Sequence, residues 1–100
     1  MRNQDKNHKK CPVTLVADLL SDRWTMLIIN NLLNNREMRF CEMERVLEGI
    51  STRTLTLKLQ HLENQSIIEK LDSGYRLTKI GMKLNPIIDE MRSFGRHLVI

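Results

Sequence analysis

Two cysteines in 100 residues are too few to staple a fold, and they fit a reducing compartment where a thiol counts for its reactivity. No apolar run approaches the roughly 20 residues a membrane-spanning helix needs. The opening stretch Met1-Arg2-Asn3-Gln4-Asp5-Lys6 is polar where a secretory signal would carry an apolar segment. A cytoplasmic protein without a membrane partner is therefore expected. The chain also lacks internal repeats, low-complexity tracts and Gly/Ser linkers, so one folded domain is expected. Enzyme chemistry finds no foothold, because there is no Gly-rich phosphate loop, no nucleophile elbow and no clustered acid–base pair. Of His8, His61 and His97, only His8-x-x-Cys11 has ligand-like spacing, and one such pair does not make a tetrahedral metal site. Neither a metal nor a cofactor is expected.

What is present is an ordinary globular composition with a formal net charge of +4, a balance that favours a polyanionic partner. Residues 1–10, with Arg2, Lys6, Lys9 and Lys10 against Asp5, read as a flexible basic arm; residues 11–100 read as the folded unit. Pro12 opens a helix over residues 12–20 that is expected to bury Leu15, Val16, Leu19 and Leu20. Ser21 is the expected N-cap of a second helix over 22–33, with Trp24, Leu27, Ile28 and Leu32 inward and Asn34-Asn35 as its stop. A short extended piece at 37–39 precedes a third helix with Phe40, Met43 and Leu47 inward, Glu42, Glu44 and Glu48 exposed, and Gly49 as its end. Ser51 caps a fourth helix. Strands at 67–71 and 75–77 flank a turn at Asp72-Ser73-Gly74.

Thr78 then caps one long helix with Ile80, Leu84, Ile87, Ile88, Met91, Phe94 and Leu98 along its seam, and Pro86 is expected to kink it near residues 82–84. The stripe from Ile87 to Leu98 exceeds what so small a domain can bury, so a partner helix across a twofold axis is the expected cover. Docking onto the first helix of the same chain is the alternative. The order of elements, mainly α with a small β-hairpin wing, is that of a winged helix-turn-helix domain.

The fourth helix is the most informative segment. Leu55, Leu59 and Leu62 form its inward stripe, and the opposite side carries Arg53, Leu57, Gln60 and Asn64 with Thr56 on the flank. Ser51, Thr52 and Thr54 crowd its N-terminus, where amides and hydroxyls suit phosphate oxygens. Its first three turns hold no acid, although the helix dipole ordinarily favours one there. Arg53 suits a guanine edge or a phosphate, Gln60 an adenine edge, and Leu57 a thymine methyl. Lys58 and His61, nearer the sides, suit contacts to the DNA backbone, or none. Composition alone leaves an ordinary surface helix open, and the hairpin that follows favours DNA. The rival function is a winged-helix protein–protein module that has lost DNA binding, for which the short wing and Leu57 speak. Cys11, at a helix start beside Lys9 and Lys10, is placed to favour thiolate; Cys41 is expected as a half-buried filler. A bridge from Cys11 to Cys41, or to a second chain, is left open.

Cys11-Pro12-Val13, Asp22-Arg23-Trp24-Thr25, Arg39-Phe40, Gly49-Ile50-Ser51, Leu55 through Leu62-Glu63, and Tyr75-Arg76-Leu77-Thr78 followed by Gly81 and Pro86 resemble the HxlR-type winged-helix regulators, relatives of the MarR type. The resemblance implies a homodimer built from the first and last helices, which assigns Val13 and Val16 with Ile87, Ile88, Met91, Phe94 and Leu98 to the interface. It implies transcriptional control at a pseudo-palindromic operator in double-stranded DNA, with Arg39 joining the contacts of the fourth helix. In several such proteins the cysteine before that proline senses oxidants or electrophiles, which makes Cys11 the candidate here. A small-molecule or oxidant effector follows as a class, and no polar constellation in the sequence names one. Three positions depart from the pattern. The hairpin at Leu71-Asp72-Ser73-Gly74-Tyr75 is clipped, which would restrict Lys70 and Arg76 to nearby phosphates. Cys41 stands where a small polar N-cap is common, and Leu57 stands where relatives are often polar.

Overall fold

Nearly all of the chain, residues 11–99, is described by a computed structural model. The expected basic arm, residues 1–10, lies outside the described residues. Helix α1 (Pro12–Leu20) opens on proline, whose missing amide falls where no intrahelical acceptor exists. Helix α2 (Arg23–Asn34) is capped by Asp22 rather than Ser21. The Asp22 backbone is extended, and its carboxylate accepts from the amide and hydroxyl of Thr25 at 2.9 and 2.7 Å. Ser21 keeps helical dihedrals at the end of α1 and donates to the Asp18 carbonyl at 2.9 Å, so its hydroxyl is turned back. A full negative charge is also the better complement to a helix start with no acid in its first turn.

Beyond α2 the chain extends, and Met38 pairs in antiparallel fashion with Tyr75 (N–O 3.0 and 2.8 Å). Helix α3 (Phe40–Val46) starts at Arg39, whose amide donates to the Glu42 carboxylate at 2.8 Å. Cys41 therefore lies inside the first turn, not at the cap, and is exposed rather than half-buried. Gly49, at φ +91°, reverses the chain into α4 (Thr52–Asn64), whose cap Ser51 accepts from the Thr54 amide at 3.0 Å. Helix α4 ends in a Schellman motif: Ser66, at φ +63°, donates to the Glu63 carbonyl and Ile67 to that of Leu62.

Strands β1 (Ile68–Leu71) and β2 (Gly74–Leu77) pair antiparallel with Leu71 opposite Gly74, which leaves a two-residue loop, Asp72-Ser73. Gly74 is thus the first strand residue and not the last of the turn. At φ +143° it lies so near Met38 that an added Cβ would sit 2.6 Å from the Met38 carbonyl oxygen. The single long helix expected after Thr78 is two: α5 (Lys79–Met82) and α6 (Leu84–Leu98). Pro86 falls in the first turn of α6, where its missing amide has no acceptor to lose, so the helix is interrupted at Lys83 instead of kinked.

The core gathers Ile28, Ile29 and Leu32 of α2, Met43, the α4 stripe, Ile68, Leu77 and the start of α6. Burial departs from expectation in the first and last helices as well. Helix α1 has no buried residue: Leu15 is exposed, and Leu19 and Leu20 are only partly covered. Ile88, expected at a dimer seam, is 4 % exposed and belongs to this core. Helix α6 is held over α2 there by Arg92, which donates to Asn30 at 2.9 Å and pairs with Asp89 at 2.7 Å. Among the described residues no helix is long and apolar enough to cross a membrane.

Candidate nucleic-acid interface

Helices α3 and α4 with the turn at residues 47–51 make the helix-turn-helix, and α4 is anchored on three sides. Leu55, Leu59 and Leu62 are buried in the core. The Lys58 ammonium pairs with the Asp22 carboxylate at 3.2 Å, tying α4 to the start of α2. The Thr52 hydroxyl donates to Glu44 of α3 at 2.5 Å. Glu42 and Glu44, expected as solvated charges, are half-buried and bonded. The Asp22 carboxylate carries three interactions in all. Partial desolvation alone would raise its carboxyl, but the Thr25 hydroxyl and amide and the Lys58 ammonium outweigh that and hold it below its ordinary value.

With its back fixed, α4 presents Arg53, Thr56, Leu57, Gln60 and His61 to solvent. Arg53 and Gln60 have no hydrogen bond or ion pair among the described residues, so their donors are available to a partner. Leu57 between them is 52 % exposed. The hydroxyls at the helix start are partly spent: Ser51 donates to Thr54 at 2.9 Å, and Thr56 donates to the Thr52 carbonyl at 2.8 Å. Lys58, named from sequence as a backbone contact, is engaged by Asp22, a partner far along the chain that no local pattern could reveal. In the hairpin, Arg76 bonds Glu69 on the facing strand at 2.7 Å, and the Lys70 ammonium lies 5.9 Å from the centre of the Tyr75 ring. Arg39 is exposed and follows Met38, which brings it beside Gly74 and Tyr75 at the turn end of the hairpin.

Two further features stand apart from this face. Cys11 is exposed at the start of α1. The amide of Thr14, then that of Val13, favours its thiolate and lowers the thiol below its ordinary value, although no cap hydrogen bond closes. Lys9 and Lys10, expected to assist, lie outside the described residues. The second feature is an apolar face shared by α1 and α6. Val13 is 74 % exposed and Phe94 63 %, and Ile87, Met91 and Leu98 are also open to solvent. Val16 is half-buried beside them, and Ile87 and Met91 join the α1 surface to the outer surface of α6.

Comparison with known proteins agrees with this geometry. Residues 19–99 match the HxlR-like helix-turn-helix family. The chain is 36 % identical over 86 residues to the HTH-type transcriptional regulator YvaP of Bacillus subtilis, an alignment covering 79 % of each chain. Among solved structures, quinone-bound YodB from B. subtilis superposes with a TM-score of 0.81 at 32 % identity, over 87 % of this chain and 99 % of YodB. A MarR-family protein from Porphyromonas gingivalis superposes with a TM-score of 0.76 at 35 % identity, over 88 % of this chain and 92 % of that one. These relatives are transcriptional regulators and not enzymes. The chain belongs to the HxlR-like helix-turn-helix family and is a transcriptional regulator built on a DNA-binding winged helix-turn-helix fold.

Proposed function

We propose that the protein acts in the cytoplasm as a homodimer that sets one α4 into each half-site of a pseudo-palindromic operator, and that Cys11 makes its DNA affinity responsive to oxidants or electrophiles. The observation that carries the DNA reading is the outer face of α4, where Arg53 and Gln60 flank Leu57 with their donors unspent and no acid stands in the first turn. Arg53 takes a guanine edge or a phosphate, Gln60 an adenine edge and Leu57 a thymine methyl. Ser51, Thr52, Thr54 and Thr56 meet the phosphates beside the helix start, and Lys58 adds positive charge while it holds Asp22. Arg39, Lys70 and Arg76 reach phosphates at the hairpin. The dimer closes through Val13, Val16, Ile87, Met91, Phe94 and Leu98, all left uncovered or half-covered by a single chain.

The test is binding of the reduced protein to duplex from upstream of its own gene, against scrambled duplex, at two salt concentrations. Sequence-preferring binding that falls steeply with salt is expected, because phosphate contacts release counterions. No binding at low salt would overturn the DNA reading in favour of a protein–protein module. For Cys11, support comes from its exposure and lowered thiol, and from YodB having been solved in quinone-bound and diamide-treated forms. Treatment with diamide is expected to change the DNA affinity of the unmodified chain and of Cys41→Ser, and to leave Cys11→Ser unchanged. An unaltered response in Cys11→Ser would sink the sensor.

A further inference from the structure

A half-enclosed groove of about 570 Å³ lies between the end of α2, strand β2 and α5, away from the α1/α6 face. Its size is in the ordinary range of small-molecule sites, roughly 300–1,000 Å³. Leu32, Leu33, Leu77 and Met82 supply its apolar lining. The charged groups around it are unequally committed. Of its two carboxylates, Glu69 already accepts from the Nε of Arg76 at 2.7 Å, and Glu37 already accepts from the hydroxyl of Ser73. Arg36 and Lys79 have no hydrogen bond or ion pair among the described residues. The groove therefore offers two unpaired cations over an apolar floor; Glu69 is paired with Arg76, Glu37 is held by a hydroxyl, and the three cations of the lining outnumber its two acids.

We propose that this groove binds a small organic anion, a carboxylate carried on an apolar body. The guanidinium of Arg36 suits a carboxylate because its paired N–H groups match the two oxygens, and Lys79 adds a second, compact charge. The apolar body covers the leucines and Met82. A nucleic-acid backbone would satisfy the cations but leave that floor unfilled, which is why the anion is a small amphiphile and not a phosphodiester. The binding itself does not depend on the DNA reading. Its regulatory meaning does, since the walls are the end of α2 and a strand of the wing.

The test is methyl-selective NMR of the full chain during titration with benzoate, phenylacetate and octanoate, with benzyl alcohol as the uncharged match. Saturable shifts are expected at the methyls of Leu32, Leu33, Leu77 and Met82, with no saturation by benzyl alcohol. The double variant Arg36→Ala/Lys79→Ala, both positions exposed, should keep its fold and bind about tenfold more weakly or worse. The proposal is overturned if none of the three acids saturates, if benzyl alcohol binds equally well, or if the double variant binds unchanged. Shifts confined to Val13, Ile87 and Met91 would also overturn it, by placing the acid on the α1/α6 face. Operator binding of the same samples is scored separately, so either reading fails without taking the other with it.

Discussion

Asp22 does two jobs with one carboxylate: it caps α2 through Thr25 and restrains α4 through Lys58. Asp22→Ala should cost about 1 kcal/mol, the usual worth of a helix cap, read as a lower urea midpoint. The pH dependence has a definite sign. The carboxyl is lowered in the folded chain, so its stabilisation is complete above the unfolded value and is lost as pH falls through the folded one. The gap between wild type and Asp22→Ala should therefore be constant near neutrality and close in acid, from about pH 4 downwards. A gap that stays constant into strong acid would refute this account of Asp22. Leu57 is a different kind of residue, half open to solvent on the outer face of α4 and outside the buried core. Leu57→Gln should change stability by no more than about 0.5 kcal/mol, yet alter the base preferred at one position of each half-site. Selection of binding sites from randomised duplex by both proteins checks this, and identical preferences would remove Leu57 from the readout.

At the scale of elements, the turns carry the interesting chemistry. The Schellman motif closing α4 needs a left-handed residue and has Ser66 there, where glycine would have no Cβ to resist. Ser66→Gly should raise the melting temperature, by an amount corresponding to at most about 1 kcal/mol; a lowered one would show that the serine is worth more than its strain. Gly74 is the opposite case. Its φ and its contact with the Met38 carbonyl leave no room for a side chain, so Gly74→Ala should destabilise by about 2 kcal/mol. The first four helices, the caps at Ser51 and Thr78, and the hairpin were readable in the sequence because each rests on spacing within a few residues, whereas the break at Lys83 was not. What was unreadable joins distant residues: Met38 to Tyr75, Asp22 to Lys58, Glu44 to Thr52, and the groove holding Arg36 and Lys79. Ile88 shows the limit within a helix. A wheel places it beside Ile87 on one broad stripe, but only packing tells which edge of that stripe meets α2 and which meets solvent.

For the whole molecule, the division between core and uncovered face yields a paired prediction. Ile88→Ala should cost about 2–4 kcal/mol by leaving a cavity in the protomer, read by chemical denaturation. Phe94→Glu, at a side chain 63 % exposed, should leave the protomer folded and convert the proposed dimer to monomer in sedimentation experiments. A Phe94→Glu chain that still sediments as a dimer would move the interface elsewhere.

If the proposed dimer closes through it, that uncovered face would also set how the regulator counts its own copies. In the proposed dimer each protomer's core is closed by its own chain, so folding and pairing would be separate equilibria. The proposed twofold operator would then be filled in proportion to the square of the free protomer concentration when dimers are scarce. Halving the cellular supply would cut occupancy about fourfold under those conditions, by mass action alone. The valine and phenylalanine left in water would thus make a small change in synthesis into a sharper change in transcription, before any oxidant or small molecule intervenes.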